Sequence, residues 1–245
     1  MNKDNIIYGI RAIIEATNAQ KPINKVYLQK GLSGELFKEL EYVLRKKKIN
    51  TAYVPVERLN KFTPNNHQGA VATISPVNYA NFEALVEKLL HDVEAPLFLL
   101  LDQITDVRNF GAIIRTAECT GVHAIIVPNT GAAPINSDTI KTSAGAAFNI
   151  PIAKVNHLKD AIYYLKSSGI QIVAATEKGS HLLYEVNLKS GTALVMGAED
   201  KGISHSILKI VDHQAKLPLS GKIGSLNVSV ACGVFLYEVL RQRLG

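Results

Sequence analysis

A continuous apolar run, LFLLLD at residues 97–102, constrains the fold of this chain more than any other feature. A strand in which successive residues are all apolar is buried on both faces, which is typical of the interior of a parallel sheet. From this run to the end of the chain, apolar strands alternate with amphipathic helices. The alternation predicts a parallel-sheet α/β domain over residues 97–245.

The first 76 residues alternate between helices and strands on a smaller scale. Helical segments such as YGIRAIIEATNA and strands such as KVYLQ predict a small α/β domain over residues 1–76. Between the two regions, PVNYANFEALVEKLLHDVEAP predicts one amphipathic helix flanked by Pro76 and Pro96. We interpret residues 77–96 as a linker helix.

Composition and cysteine use indicate a soluble cytoplasmic protein without a membrane partner. Hydrophobic residues make up 47% and charged residues 20% of the 245 residues. The apolar runs are too short to cross a bilayer, and the N-terminus lacks the features of a secretion signal. Cys119 and Cys232 lie in apolar helical contexts, so we expect both to be buried free thiols.

The chain is basic, with a net charge of +6 and a pI near 9.2. Such a charge is compatible with a polyanionic partner but does not require one. The densest basic run, RKKK at residues 45–48, has two interpretations: the solvated end of a helix, or a nucleic-acid contact.

Several common catalytic motifs are absent. No G-x-G-x-x-G follows a strand, SGKIGS lacks the spacing of a phosphate loop, and no G-x-S-x-G is present. The seven histidines and two cysteines show no metal-ligand spacing, so we expect no metal. These absences argue against ATP hydrolysis, zinc chemistry and acyl transfer.

Three glycine-containing loops follow predicted parallel strands, at the edge where open sheets bind ligands. The first, in LDQITDVRNFGAIIRTAE, carries Asn109, Gly111 and Arg115. The second, in LVMGAEDKGIS, carries Gly197 and Glu199. Each glycine allows the backbone to approach a neighbouring group closely.

The third loop leads into KIGSLNVSVACGVF, which fits both a strand period and a helix period. Because the chain end is plainly helical, we predict one helix from Leu226 to about Arg243 with Ser225 as its N-cap. Ser225 and Asn227 then lie at the helix start. Together the three loops bring one Arg, one Glu, one Ser and two Asn to one edge, which suits group transfer to a hydroxyl.

At these residues the sequence closely resembles the SpoU (TrmH-like) family of RNA ribose 2′-O-methyltransferases. NFGAIIRTAE is similar to the first family motif, LVMGAEDKGIS to the second and LPLSGKIGSLNVSVA to the third. The first 75 residues, with YGIRAIIEA and HQGAVA, resemble the L30e-like substrate-binding domain of the rRNA branch. Within the family, the sequence resembles the bacterial enzymes that methylate a 23S rRNA guanosine.

The resemblance implies a SPOUT-type catalytic domain with a C-terminal trefoil knot that binds S-adenosylmethionine. It also implies a homodimer that acts on RNA, most simply 23S rRNA, and not on DNA. The cofactor is expected to contact the backbone of Gly197, Leu217 and Leu226, with Thr176 nearby. The apolar face of the last helix would serve both the core and the dimer interface through Val228, Cys232, Phe235 and Val239.

The family pattern makes Arg115 the catalytic residue, with Asn109, Glu199, Ser225 and Asn227 around it. Two roles are open for Arg115. It could act as general base with help from an RNA phosphate, although a guanidinium essentially never loses its proton in proteins. Alternatively it stays charged, stabilises the developing alkoxide and clamps a phosphate, while Glu199, a phosphate oxygen or water removes the proton.

Two other functions are compatible with the sequence. One is a non-catalytic RNA-binding or ribosome-assembly protein, against which the complete set of polar motif residues argues. The other is an enzyme of the same family that acts on tRNA. The small N-terminal domain favours rRNA, but only by analogy.

Overall fold

A computed structural model describes residues 5–245 of the chain. They form two compact units. The first unit comprises the described residues up to Asn78 together with Pro134–Ser137, and the second comprises Tyr79–Ala133 and Asp138–Gly245. None of the helices within residues 5–245 has the length and apolarity needed to cross a membrane.

The first unit is built on a four-stranded mixed sheet. Its elements are β1 (Ile6–Tyr8), α1 (Ile10–Asn18), β2 (Ile23–Gln29), α2 (Glu35–Lys46), β3 (Thr51–Val54), α3 (Val56–Asn60) and β4 (Ala70–Ile74). The strand order is β1-β4-β2-β3, with β2 and β3 parallel and the other pairs antiparallel. Ile13 of α1 and Leu40 of α2 pack with Val26 and Leu28 of β2 in one buried cluster.

The second unit contains seven strands and six helices among the described residues. They are α4 (Phe82–Asp92), β5 (Leu97–Asp102), α5 (Val107–Cys119), β6 (Ala124–Pro128), α6 (Ser137–Thr142, which begins on the last residue assigned to the first unit), β7 (Ile152–Val155), α7 (Leu158–Ser167), β8 (Gln171–Ala175), β9 (His181–Leu182), β10 (Thr192–Gly197), α8 (His205–Leu208), β11 (His213–Lys216) and α9 (Val228–Leu244).

The seven strands form one parallel sheet in the order β7-β6-β5-β10-β8-β11-β9. β5 and β10 are neighbours at its centre, and every residue of both strands is buried. The parallel α/β prediction for this region is therefore confirmed. Gly197, the last residue of β10, lies opposite Asp102, the last residue of β5, so the two loops that follow leave the sheet side by side.

Helices cover both faces of this sheet. Phe98 and Leu100 of β5 belong to a buried cluster with residues of α4 and α7. Leu99 and Leu101 point to the opposite face, since side chains alternate along a strand, and there α9 packs against α5, β8 and β10. The segment interpreted as a linker contains α4, whose Phe82 and Val86 belong to the core of the second unit.

Several local predictions were wrong. The last helix begins at Val228 with Asn227 as its N-cap, not Ser225. The predicted strand AKLPL ends at Lys216, because Pro218 cannot donate a hydrogen bond to a sheet. Cys119 is exposed rather than buried, because it lies on the solvent side of the last turn of α5, while Cys232 is buried. Strands β1 and β9 were missed because they have only three and two residues.

Candidate active site

The main cavity of the second unit lies at the carboxyl ends of β8, β10 and β11. It has a volume of about 390 Å³, within the range of small-molecule sites. All four residues predicted to bind the cofactor line it: Thr176, Gly197, Leu217 and Leu226. Glu199 and Ser225, two of the predicted catalytic residues, line it as well.

Tight backbone packing shapes the wall that follows β10. A Cβ atom on Gly197 would lie 2.2 Å from the carbonyl carbon of Gly202 and from the nitrogen of Ile203, so only glycine fits. Ala198 and Gly202 form a β-bridge that closes this loop on itself. On the β8 side, the Thr176 amide donates to the Ala215 carbonyl at 2.9 Å, which joins two strand ends beneath the cavity.

Three predicted polar residues from three loops meet in one hydrogen-bond network. Asn109 Nδ2 and Asn227 Nδ2 each donate to Glu199 Oε1, both at 2.7 Å. Asn227 Nδ2 also donates to Asn109 Oδ1 at 3.1 Å. The chain segments that carry them are up to 118 residues apart, so the fold, not local sequence, creates this arrangement.

Both asparagines also take part in helix caps. Asn227 Oδ1 accepts hydrogen bonds from the amides of Ser229 and Val230 at the start of α9, which turns its Nδ2 toward Glu199. Asp106 caps α5 by accepting from the Asn109 amide at 2.8 Å. Since an N-cap satisfies amides that have no partner within the helix, each cap helps to start a helix, and the cap of α9 also orients the side chain of Asn227.

Gly111 also serves packing rather than a ligand. A Cβ atom at this position would lie 1.8 Å from Thr142 Oγ1. α5 therefore packs closely on the segment around Thr142, and glycine is what allows that approach.

Arg115 lies outside the cavity lining. Its side chain is exposed, and within residues 5–245 it makes no hydrogen bond or ion pair. It lies six positions after Asn109, which at 3.6 residues per turn places the two side chains about 120° apart around the helix. Arg115 and Asn109 thus share α5 but not the same side of it.

Some residues that line the cavity were not predicted. Lys178 follows β8, and a single lysine in a loop gives no signal in the sequence. Met196 and Phe235 supply apolar walls, and their strand and helix periodicity indicates only that they are buried. The cavity thus combines apolar walls with backbone groups at three strand ends. That combination fits the adenosine and methionine parts of S-adenosylmethionine, which need an apolar slot with a polar edge.

The Cys232 thiol lies beside the cavity lining in the sequence, but it cannot act as a nucleophile at neutral pH. Cys232 is fully buried on α9, between the lining residues Ala231 and Phe235. Burial raises the pKa of its thiol to about 12, and only the thiolate attacks. Cys232 is therefore not a candidate for forming a covalent intermediate.

This fold and site define the class of protein. Residues 96–237 match the SpoU rRNA Methylase family, and residues 6–80 match the family described as RNA 2′-O ribose methyltransferase substrate binding. The chain belongs to the SpoU methylase family, as its three motifs predicted.

Individual proteins and solved structures of this kind are similar to the chain over most of its length. The 23S rRNA (guanosine-2′-O-)-methyltransferase RlmB of Pseudomonas aeruginosa is 36% identical over 239 residues, which cover 97% of this chain and 96% of that protein. An uncharacterized tRNA/rRNA methyltransferase of Synechocystis is 35% identical, but this chain spans only 63% of its length. The crystal structure of an AdoMet-bound rRNA methyltransferase from Sinorhizobium meliloti superposes with a TM-score of 0.63 at 25% identity, covering 98% of this chain and 88% of that one.

Proposed function

We propose that the protein transfers a methyl group from S-adenosylmethionine to the ribose 2′-hydroxyl of a guanosine in 23S rRNA. The observation that carries the proposal is the Asn109–Glu199–Asn227 network at a cavity lined by all four predicted cofactor residues. The substrate follows from similarity to the Pseudomonas relative, whose name states that activity. Because the proposed substrate is rRNA, we propose that the protein acts in the cytoplasm.

In this mechanism the network presents Glu199 to the acceptor. S-adenosylmethionine, when bound, supplies an electrophilic methyl group. Glu199 Oε1 is held by two amide donors, whereas Oε2 makes no hydrogen bond within residues 5–245 and is free to accept one from the ribose hydroxyl. Orienting that hydroxyl and accepting its proton converts a poor nucleophile into a competent one.

Arg115 keeps its charge in this proposal. Its guanidinium binds the phosphate next to the target ribose and stabilises the negative charge that develops on the 2′-oxygen. Because Arg115 lies outside the lining of its own cavity, we propose that it serves the cavity of a second copy in a homodimer.

The surface that we propose for dimerisation is an exposed stripe of α9. Val230, Val234 and Tyr237 are 53%, 37% and 56% exposed and recur at helical spacing on one side. The four residues predicted to serve both core and interface, Val228, Cys232, Phe235 and Val239, are buried within the chain. They belong to the core, and the neighbouring stripe is left for a partner.

Subunit mixing tests the proposed exchange of Arg115. Arg115→Ala and Glu199→Ala should each be inactive alone. In a random mixture, a heterodimer has one cavity with both residues intact, so about a quarter of wild-type activity should return. If the mixture is as inactive as each variant alone, Arg115 acts at the cavity of its own subunit.

The first unit is the proposed RNA-binding part. Residues 1–76 contain 12 Lys and Arg against 6 Asp and Glu, whereas residues 77–245 contain 15 of each. The whole net charge of +6 therefore resides in the first 76 residues. Replacing Arg45, Lys47 and Lys48 by alanine should weaken RNA binding and flatten its salt dependence, since each lost phosphate contact lowers the slope by about 0.7–0.9.

The activity itself is tested on 23S rRNA from a strain that lacks the gene. Purified protein with S-adenosylmethionine should add one 2′-O-methyl group, which reverse transcription at limiting nucleotide locates on a guanosine. Glu199→Ala should bind the cofactor and leave the RNA unmethylated. Methylation of tRNA instead would select the tRNA enzyme, and S-adenosylmethionine binding without methylation of either RNA would favour the non-catalytic alternative.

A further inference from the structure

A second cavity opens at the same edge of the large sheet, at the carboxyl ends of β5, β6 and β7. Its volume is about 380 Å³, close to that of the main cavity. All of its lining residues belong to the second unit. None of them was predicted from the sequence, and none belongs to the Asn109–Glu199–Asn227 network.

The lining combines an apolar floor with a polar rim. Pro128, Leu158 and Ile207 are buried side chains that form the floor. The rim carries amides, hydroxyls, one imidazole and one ammonium group, among them those of Gln103, Thr130, Asn156, His157, Lys159 and Ser206. These rim side chains are exposed, so their polar groups can exchange water for a ligand.

This donor set suits one nucleotide better than a small apolar ligand or a polyanion. Amides and hydroxyls can hydrogen-bond base edges and a ribose, the apolar floor can cover one sugar or base face, and Lys159 can pair with one phosphate. Asp102 is the one carboxylate in the lining, and its Oδ2 already accepts from the Ser204 amide at 2.8 Å. The dipole of this amide offsets part of the repulsion between Asp102 and a phosphate.

The two cavities share one wall. The loop after β10 contributes Gly202 to the main cavity and Ser204 to the second cavity. Its start is fixed by the close packing of Gly197 on Gly202, and its end by the bond from the Ser204 amide to Asp102. The two cavities therefore adjoin the same loop, at lining residues two positions apart.

We propose that the second cavity binds a nucleotide that flanks the target ribose in the same RNA strand. The proposal rests on the RNA methyltransferase activity proposed above and adds a specificity site to it. The second cavity holds the strand in register, so that one ribose among many is presented at the main cavity.

Two variants with unrelated chemistry test this site. Lys159→Ala removes the phosphate partner, and Ser206→Phe fills the cavity without changing charge. Each should raise KM for 23S rRNA about tenfold while kcat stays within about twofold, because the contact is made in ground and transition state alike. S-adenosylmethionine affinity and melting temperature should match those of wild type. Lys88→Ala, the same charge change on exposed α4, is the matched control and should leave KM unchanged.

Shortened substrates then locate the bound nucleotide. Synthetic RNA fragments around the mapped target are trimmed one nucleotide at a time from each end. With wild type, KM should rise stepwise when the bound nucleotide is lost, and with Ser206→Phe that step should vanish. A wild type that methylates RNA, with both variants unchanged in KM and the step retained, would overturn this proposal alone. A wild type that methylates no RNA would overturn the proposed function instead.

Discussion

Asn109 and Arg115 lie on the same helix, within one motif, yet their surroundings differ completely. The Asn109 side chain is joined to two residues from distant loops, and its backbone amide is bound by the α5 cap. Arg115 is exposed and has no such partner within residues 5–245. Asn109 is therefore part of a site that the chain forms by itself, whereas we propose that Arg115 acts only with a second copy and the RNA.

Replacing Arg115 by alanine should have the largest effect on catalysis. We expect kcat to fall about 10²–10³-fold, which corresponds to about 2.7–4 kcal/mol of lost charge stabilisation in the transition state. The free energy of unfolding should stay within about 0.5 kcal/mol of wild type, because the side chain is exposed and unbonded. Single-turnover methylation and denaturant unfolding measure the two quantities.

Arg108→Ala provides the control, since Arg108 is also exposed on α5 and the charge change is the same. It should leave kcat nearly unchanged. Arg115→Lys should remain strongly impaired, because an ammonium group cannot make the bidentate contact of a guanidinium. Turnover of Arg115→Ala within about tenfold of wild type, a barrier change of about 1.4 kcal/mol, would remove Arg115 from the chemistry.

Gly111→Ala tests whether close packing of α5 sets the position of both residues. Helix propensity alone predicts a gain of about 1 kcal/mol from this change. The 1.8 Å approach to Thr142 Oγ1 predicts instead a loss of about 1–3 kcal/mol from overpacking. Thr142→Ala in the same chain should restore part of that loss, because it removes the nearest atom. A stabilised Gly111→Ala variant would show that the two segments separate easily.

Asn227 should respond differently to two substitutions. Asn227→Ala removes the cap of α9 and the Nδ2 group that donates two hydrogen bonds to the network, whereas Asn227→Ser keeps a cap but not this donor. We expect the alanine variant to be less stable than the serine variant by about 1 kcal/mol. Methylation should fall equally in both. If the serine variant kept full activity, the amide donors of Asn227 would be dispensable.

Sequence reasoning succeeded where one physical requirement dominated a segment. β5 and β10 each present six consecutive residues that must be buried, and the residues after them could be placed at one sheet edge because parallel strands end together. The three-loop site followed from that rule. Eight of the nine predicted residues line its cavity or belong to its network: Asn109, Thr176, Gly197, Glu199, Leu217, Ser225, Leu226 and Asn227.

It failed where two local solutions were equally good. Ser225 and Asn227 are both strong N-cap residues. The choice between them is made by Asn109 and Glu199, which are 118 and 28 residues away from Asn227. In the same way, periodicity predicts that Arg115 is on a helix, but the side it occupies depends on which face of α5 meets Thr142. Tertiary contacts of this kind leave no local pattern.

Asp106→Gly should have the smallest effect. It tests whether the network keeps Asn109 in position without the cap of α5. Glycine is nearly as good an N-cap as aspartate, so stability should fall by only a few tenths of a kcal/mol. The Asn109 amide loses its acceptor, but the side chain is still held by Glu199 and Asn227. We therefore expect kcat within about twofold of wild type, a barrier change well below 1 kcal/mol. A tenfold fall in kcat would mean instead that the capped start of α5 positions Asn109 for the network.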